Sequence, residues 1–271
     1  MAEKILSRPP SDCLKKLIAR AELKEKELPQ WLKDYYDSLK RSLQQCIDIA
    51  SGTCCQTEEL WFQERSVKVT GSKIYGLYTY ISNKNPNWKK KLDTVFNSSF
   101  NGNEATVYGL QCEPVAREKY ATFKNVSVVE PGLFSRPELP MVGYSGDGVV
   151  EDDSGEPVEL LEIKSLVVGK TNPASKLFSV ASCCNKKTKK LKEKHPYFGQ
   201  IQLGMLLYGL PSCDFMLHSS VANDKTIAYQ TVPFDEVFTF NMVSKIIDLY
   251  FEEILPWLFH NRKSTPPTDE V

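Results

Sequence analysis

The sequence predicts an α/β (α+β) fold in which a β-sheet is flanked by helices and preceded by a helical extension. Apolar residues recur at spacings of three and four between residues 11 and 50 and between about Asp235 and His260, as they do along one face of a helix. Residues 144–165 combine Gly-rich turns with apolar runs, the pattern of a β-hairpin. Two further apolar runs, Phe215–Ser219 and Thr226–Val232, have the composition of strands.

The N-terminal periodicity predicts at least two helices, of which the second is expected to start at Pro29. The segment Ser51–Cys55 interrupts the pattern and is expected to be a linker. Another helix is predicted over Pro196–Leu210, and His195 is expected to cap it rather than to take part in chemistry. The predicted organisation is a helical extension (1–55), a main domain (56–260) and a disordered, proline-rich tail (261–271).

Composition narrows the class of protein but does not name a partner. The 271 residues, 41% of them hydrophobic, can bury a full core. Basic and acidic residues balance at 34 each, so net charge gives no sign of nucleic-acid binding. The chain shows neither a secretion signal nor a long apolar run, so we expect an intracellular protein, nuclear or cytoplasmic, that is not secreted and has no membrane partner. None of the eight cysteines forms a C-x-x-C pair, which favours reduced thiols over a zinc site.

The predicted hairpin carries the most informative side chains. Asp147 lies in the turn Ser145–Gly148, and Glu162 and Lys164 lie two residues apart on the following strand, so these two share one face while Ile163 points to the other. The charges interrupt an apolar strand, where isolated charges are costly. Carboxylates are ligands that Mg²⁺ prefers, and a lysine beside them can act on an attacking water. An ordinary ion pair next to a common Asp-Gly turn is the alternative.

Four segments, in order, resemble the PD-(D/E)XK nuclease superfamily, and within it the lambda-exonuclease or YqaJ recombinase branch. They are the opening segment Trp61–Ser72, the E-x-x-A-R segment Glu113–Tyr120, the hairpin with Asp147 and Glu162–Lys164, and the Y-x-x-Q-x-Q segment Tyr197–Gln202. The resemblance covers about Trp61 to Gly209 and implies a restriction-endonuclease-like core with a central mixed β-sheet. One departure is Gly146, where the family usually has a proline.

The resemblance also implies roles for individual residues. Glu113, Asp147, Glu162 and the main-chain carbonyl of Ile163 would hold Mg²⁺, for which Mn²⁺ could substitute. Lys164 would handle the nucleophilic water. Gln200, together with Gln202, would hold the lysine or the nucleic-acid backbone. Without the resemblance, Glu113 would be interpreted as an acid in the first turn of a helix.

Arg65 and Ser72, with Thr70 between them, resemble a pocket for the 5′-phosphate of the strand being degraded. A guanidinium offers a planar fork to phosphate oxygens, and a hydroxyl adds a donor. A surface ion pair is the alternative for Arg65. If the pocket forms, it would give digestion a direction.

Two lysine clusters are candidates for contact with a phosphate backbone. Lys89 and Lys90 lie in the first cluster near aromatic residues, and Lys187 and Lys190 lie in a dense run that leads into the Gln200 helix. A solvated loop and a nuclear-import signal are alternative interpretations of the second cluster.

The sequence therefore predicts a Mg²⁺-dependent deoxyribonuclease, most consistent with a 5′-to-3′ exonuclease acting on duplex ends in recombination or DNA processing. An endonuclease or an RNA-degrading nuclease on the same fold is one alternative, and a non-catalytic nucleic-acid-binding subunit is another. Double-stranded DNA ends are the expected partner. A homo-oligomer and a recombination or single-strand-annealing partner protein are compatible with the sequence, which carries no motif for either.

Overall fold

The computed structural model describes residues 1–56, 58–97 and 104–262. Its helices are α1 (Ala2–Ser7), α2 (Asp12–Lys26), α3 (Gln30–Leu39), α4 (Leu43–Gly52), α5 (Glu59–Ser66), α6 (Gly71–Tyr80), α7 (Trp88–Phe96), α8 (Glu104–Lys124), α9 (Ala174–Val180), α10 (Pro196–Tyr208), α11 (Glu236–Leu249) and α12 (Leu255–Arg262). Its strands are β1 (Val69–Thr70), β2 (Ser127–Val129), β3 (Phe134–Arg136), β4 (Leu139–Tyr144), β5 (Gly148–Glu151), β6 (Pro157–Lys164), β7 (Ser212–Leu217) and β8 (Ala228–Pro233).

The strands form two sheets. The larger has the order β2-β5-β6-β7-β8, in which only the β6–β7 pair is parallel. The smaller has the order β1-β4-β3. Parallel and antiparallel pairs in one sheet, with helices packed on it, confirm the predicted mixed α/β architecture.

The hairpin predicted at residues 144–165 is β5 and β6, paired antiparallel. Helix α8 covers one face of this hairpin, where Ile163 packs with Ala116 and Tyr120. Helix α10 packs on the opposite face, which belongs to the main core. The alternation of side chains along β6 therefore sends Glu162 and Lys164 to one layer and Ile163 to the other, as predicted.

The N-terminal helices share the main core. Leu14 and Leu17 on α2 are buried in the same cluster as Val243 and Ile247 on α11. The segment predicted as a linker at 51–55 starts inside α4, which continues to Gly52, and then forms a turn whose first residue, Thr53, is fully buried. The Thr53 hydroxyl donates to Ile49 O and accepts from Leu133 N, so this segment is a packed helix end.

The periodicity of residues 11–50 does not show where α3 ends and α4 begins, at residues 40–42. Ser42 caps α4 by accepting from Gln45 N, and the Gln45 side chain accepts from Ser42 N in return. This Ser-x-x-Gln pattern is a capping box and was available in the sequence as a helix start.

The disordered tail predicted at 261–271 falls mostly on residues 263–271, which lie outside the described residues. Asn261 and Arg262 are the last residues of α12. Among the helices that are described, none is both long enough and apolar enough to cross a bilayer.

Candidate active site

The hairpin brings an aspartate and a glutamate to one end of the sheet. Asp147 directly precedes β5, and its Oδ2 accepts a hydrogen bond from Ile163 N at 2.6 Å. The contact ties the turn to β6 one residue from Glu162. Lys164 Nζ donates to Glu162 Oε1 and lies 3.6 Å from Asp147 Oδ2. The same ammonium therefore faces both carboxylates.

The fully buried Glu162 carboxylate is held by three donors. Oε1 accepts from Lys164 and from Gln200 Nε2, the latter at 2.6 Å, and Oε2 accepts from the hydroxyl of Tyr144. Gln200 reaches the carboxylate from α10, and Tyr144 reaches it from the end of β4. Because a buried carboxylate without partners is costly, these contacts stabilise its charged form.

Glu113 approaches from the other side of the sheet. It lies in the middle of α8, so the alternative interpretation as a first-turn acid is wrong. Its Oε1 accepts from Arg117 Nη2 at 2.8 Å, and Arg117 Nε donates to the main-chain oxygen of Asp147 at 2.6 Å. The bond to the Asp147 main chain fastens α8 to the turn that carries Asp147, and Arg117 also pairs at 2.6 Å with Glu130, which directly follows β2.

Electrostatics mark this group as an acidic cluster. Burial, and after it the charge of Asp147, raises the pKa of Glu113 to about 8 and that of Glu162 to about 7. Burial opposes the charged form of Lys164, yet the charges of Glu162 and Asp147 outweigh it and raise the pKa of Lys164 above its ordinary value. Buried carboxylates whose pKa values are raised by a neighbouring carboxylate are stabilised in their charged form by an added cation.

An open cavity of about 580 Å³ joins these residues. Its lining includes four of the five predicted catalytic side chains, namely Glu113, Asp147, Lys164 and Gln200. Glu162 lies behind them, fully buried and bonded to Lys164 and Gln200. Ser72, one of the residues predicted to bind the 5′-phosphate, lines the same cavity.

The donor set fits a hard divalent cation. Across residues 1–56, 58–97 and 104–262, no three His, Cys, Asp or Glu side chains form a ready-made metal cage. Mg²⁺ does not need one, since it is usually held by one or two carboxylates and keeps several waters. Asp147 lines the open cavity, the Glu162 carboxylate lies behind its lining, and Ile163, whose carbonyl is the third predicted ligand, lines the cavity as well.

Arg65 and Ser72 converge at the edge of the cavity. Arg65 Nη2 lies 3.5 Å from Ser72 Oγ, and Arg65 Nη1 lies 3.4 Å from Ser145 Oγ. The guanidinium stacks 4.1 Å from the ring of Trp61, whose Nε1 donates to Ser145 Oγ at 3.0 Å. Within the described part of the chain, the Arg65 guanidinium contacts two hydroxyls and an aromatic ring and pairs with no carboxylate. Burial lowers the pKa of Arg65 to about 10, which leaves the group charged at neutral pH.

Two residues predicted to bind DNA are placed where they cannot reach it. Gln202 is fully buried, and its amide donates to Pro233 O and accepts from Asp235 N and from the Thr239 hydroxyl. The predicted DNA contact of Gln202 is therefore wrong, because both ends of its amide are occupied inside the core. Thr70 is fully buried as well, and its hydroxyl lies 3.3 Å from Ser72 Oγ. It supports Ser72 and exposes no atom of its own to a phosphate.

The predicted lysine contacts are exposed but do not line the cavity. Lys89 and Lys90 lie on the first turn of α7. Lys187 and Lys190 lie at the tip of a short hairpin, closed by hydrogen bonds from Asn185 N to Lys190 O and from Lys192 N to Cys183 O. The hairpin leads into α10, which His195 caps by accepting from Tyr197 N, as predicted.

Three residues at the site had no assigned role in the sequence interpretation. Tyr144 holds Glu162, Arg117 bridges Glu113 and Asp147, and the Tyr197 ring lies 5.2 Å from Lys164 Nζ. Arg117 and Tyr197 stand in the matched motifs, so their positions were visible but their partners were not. Tyr144 had one signal, its place at the end of the strand before the turn.

A family model and solved structures of other proteins match this chain. A family model described as the YqaJ-like viral recombinase domain matches residues 60–210, more than half of the chain. The alkaline exonuclease of Laribacter hongkongensis matches with a TM-score of 0.54 and 23% identity, over 76% of this chain and 98% of that one. Its complex with dAMP matches with the same TM-score and coverage at 22% identity. No curated protein sequence matches.

A third solved structure, the SOX protein of KSHV in complex with RNA, matches with a TM-score of 0.51 and 11% identity, over 82% of this chain and 78% of that one. At these identities the likeness concerns the fold. It confirms the predicted restriction-endonuclease-like core, and the matched range of the family model coincides with the predicted stretch from Trp61 to Gly209.

Proposed function

The chain belongs to the YqaJ-like viral recombinase domain family, and from this premise we propose that it is a Mg²⁺-dependent nuclease that digests duplex DNA from 5′ ends. The observation that carries the proposal is the grouping of Glu113, Asp147, Lys164 and Gln200 around one open cavity, with Glu162 behind them and bonded to Lys164 and Gln200. The fold is similar to that of the alkaline exonuclease of Laribacter hongkongensis. The proposal assigns an exonuclease activity to this chain as well.

Asp147 and Glu162 would hold the metal, with the Ile163 carbonyl and Glu113 as further oxygen donors. When bound, Mg²⁺ polarises the scissile phosphate and favours ionisation of a bound water. Glu113 stays within reach of this pair because Arg117 bonds both its carboxylate and the main chain of Asp147.

Lys164 would place and stabilise the reacting groups. Its ammonium faces Asp147 and Glu162 and lies over the ring of Tyr197, and these contacts restrain it in the lining of the cavity. From there it can donate to the attacking water and to a phosphate oxygen as negative charge develops. Gln200 restrains the same Glu162 oxygen that receives the lysine.

Arg65 and Ser72 support the 5′ polarity. The guanidinium has no carboxylate partner in the described residues, and Ser72 also lines the catalytic cavity. A terminal phosphate bound by this pair would set the first phosphodiester bond near Lys164. Such a pocket favours strands that carry a 5′-phosphate.

The test compares three forms of one duplex: linear with 5′-phosphate, linear with 5′-hydroxyl, and covalently closed. We expect Mg²⁺-dependent release of nucleotides from the phosphorylated ends, slower release from the hydroxyl ends, and no cutting of the circle. Cutting of the circle would overturn the exonuclease proposal. An RNA duplex of the same sequence decides the sugar, since the metal ligands do not contact it; preferential digestion of RNA would overturn the assignment to DNA.

A further inference from the structure

The Glu162 carboxylate has a buried partner that the proposed mechanism does not use. Tyr144 is the last residue of β4, is fully buried, and donates its hydroxyl to Glu162 Oε2. Lys164 and Gln200 both bond the other oxygen, Oε1. Among the described residues, the phenol is thus the one side chain that restrains Oε2.

The ring of Tyr144 packs closely against glycines of two helices, α6 and α10. A Cβ added to Gly204 on α10 would lie 2.7 Å from Cζ of the ring, and one added to Gly71 at the start of α6 would lie 2.9 Å from Cδ2. Such distances are shorter than real side chains adopt, so the ring fills the space that side chains would need. The ring also packs edge-on against Tyr208, with centroids 6.0 Å apart.

The ring also gives a reason for the departure from the family sequence at Gly146. A Cβ added there would lie 2.9 Å from Cε1 of Tyr144. A proline at this position would have to displace the ring. Gly146 and Tyr144 are therefore matched to each other, and the turn that carries Asp147 is built around the residue that holds Glu162.

We propose that Tyr144 is a positioning residue that fixes the plane of the Glu162 carboxylate for metal binding. The inference rests on the proposed function. The terminal torsion of a glutamate is broad, so without a bond to Oε2 the carboxylate can rotate even while Oε1 is held. Partners that orient a metal-binding carboxylate typically change metal affinity 10- to 100-fold when they are removed.

The test measures Mn²⁺ binding to the full chain by calorimetry, without nucleic acid. We expect Tyr144→Phe, which keeps the ring and removes the hydroxyl, to bind Mn²⁺ about 10- to 100-fold more weakly than wild type. Tyr208→Phe is the matched control, because Tyr208 is equally buried in the same core and its hydroxyl has no hydrogen-bond partner among the residues that the structure describes. It should bind Mn²⁺ as wild type does.

Gly204→Ala supplies a second variant that keeps the phenol and displaces the ring. Alanine favours a helix more than glycine does, which offsets part of the steric cost of an added Cβ that meets Tyr144 at 2.7 Å and Leu160 at 2.8 Å. We expect weaker Mn²⁺ binding in this variant too, with thermal unfolding recorded beside wild type to show that the chain is folded. In assays of cleavage, Tyr144→Phe should need more Mg²⁺ for half-maximal rate and recover most of the rate at saturation, a split that loss of fold does not produce.

The outcomes separate the role of Tyr144 from the proposed function. If wild type binds Mn²⁺ and Tyr144→Phe and Gly204→Ala bind it equally well, the role of Tyr144 is refuted while the proposed function stands. If wild type neither binds Mn²⁺ nor cleaves DNA, the proposed function fails, and the role of Tyr144 fails with it.

Discussion

We expect the loss of Lys164 to separate catalysis from metal binding. It is an ammonium held between Asp147 and Glu162, so it competes with a cation for the same carboxylates. We predict that Lys164→Ala lowers the single-turnover cleavage rate by about 10²- to 10⁴-fold, the usual contribution of a placed proton donor or acceptor. Mn²⁺ affinity measured by calorimetry should stay the same or increase, because a competing positive charge has been removed.

Lys16→Ala is the control for that substitution, because Lys16 is exposed on α2 and far from the hairpin in sequence. It should leave both measurements unchanged. Full activity in Lys164→Ala would contradict the catalytic assignment of the whole hairpin.

Arg65 tests the direction of digestion. We predict that Arg65→Ala lowers the rate on 5′-phosphorylated ends by about 10- to 100-fold, because a charged hydrogen bond to phosphate contributes about 1.5–3 kcal/mol. The rate on 5′-hydroxyl ends should change little, so the ratio of the two rates falls toward one. Arg65→Lys should give an intermediate ratio, since it keeps the charge and loses the planar fork.

Arg20→Ala serves as the comparison, because Arg20 pairs with Asp248 on the outer surface. A ratio of rates that is the same in Arg65→Ala and in wild type would place the end-binding pocket elsewhere.

The hairpin β5–β6 shows how far the sequence could predict the site. Alternation along a strand is strictly periodic, so the shared face of Glu162 and Lys164 followed from their spacing. The period of helix α10, by contrast, separates two residues that were predicted to act together. Gln200 and Gln202 are two residues apart, a spacing that does not share a helix face. Gln200 accordingly meets Glu162, while Gln202 turns into the core.

The contacts between elements were beyond such reasoning. Tyr144 and Glu162 are 18 residues apart and lie in different sheets, and Arg117 reaches a main-chain oxygen 30 residues away. No local period encodes these distances, because they depend on how β4, α8 and the hairpin pack. The four ordered motifs identified Glu113 and Gln200 from the sequence. The residues that hold these side chains became visible only in the packed structure.

The lysine hairpin before α10 is an element whose role can be tested by salt dependence. Its exposed lysines Lys187, Lys189 and Lys190 can neutralise phosphates of a bound duplex. We predict that changing all three to glutamine weakens DNA binding and makes the slope of log K against log salt less negative by about 0.9 for each phosphate that is no longer neutralised. Mn²⁺ affinity should not change.

A control variant with the same change in charge is Lys15→Gln, Lys16→Gln and Lys26→Gln, all exposed on α2. It should keep the slope of wild type. Equal slopes for the two triple variants would mean that the hairpin is only a solvated loop.

The N-terminal helices form ion pairs with distant parts of the described structure. Arg20 and Lys24 on α2 pair with Asp248 and Glu252 near the end of α11. Arg8, after α1, pairs at 2.8 Å with Glu156 in the loop of the β5–β6 hairpin. The boundary predicted at residue 55 stays a prediction, but the shared core implies that the two parts unfold together.

Leu17 tests whether the two parts unfold together, because it lies on α2 and is fully buried in the main core. We predict that Leu17→Ala lowers the free energy of unfolding by about 2–5 kcal/mol, the cost of deleting a buried leucine side chain. Leu23→Ala is the matched control on the same helix, since Leu23 is 62% exposed and its truncation should cost less than about 0.5 kcal/mol. In chemical unfolding followed by tryptophan fluorescence and by circular dichroism, one coincident transition should shift in Leu17→Ala. Two separate transitions, of which only one shifts, would show that residues 1–55 fold independently and that the nuclease core does not depend on them.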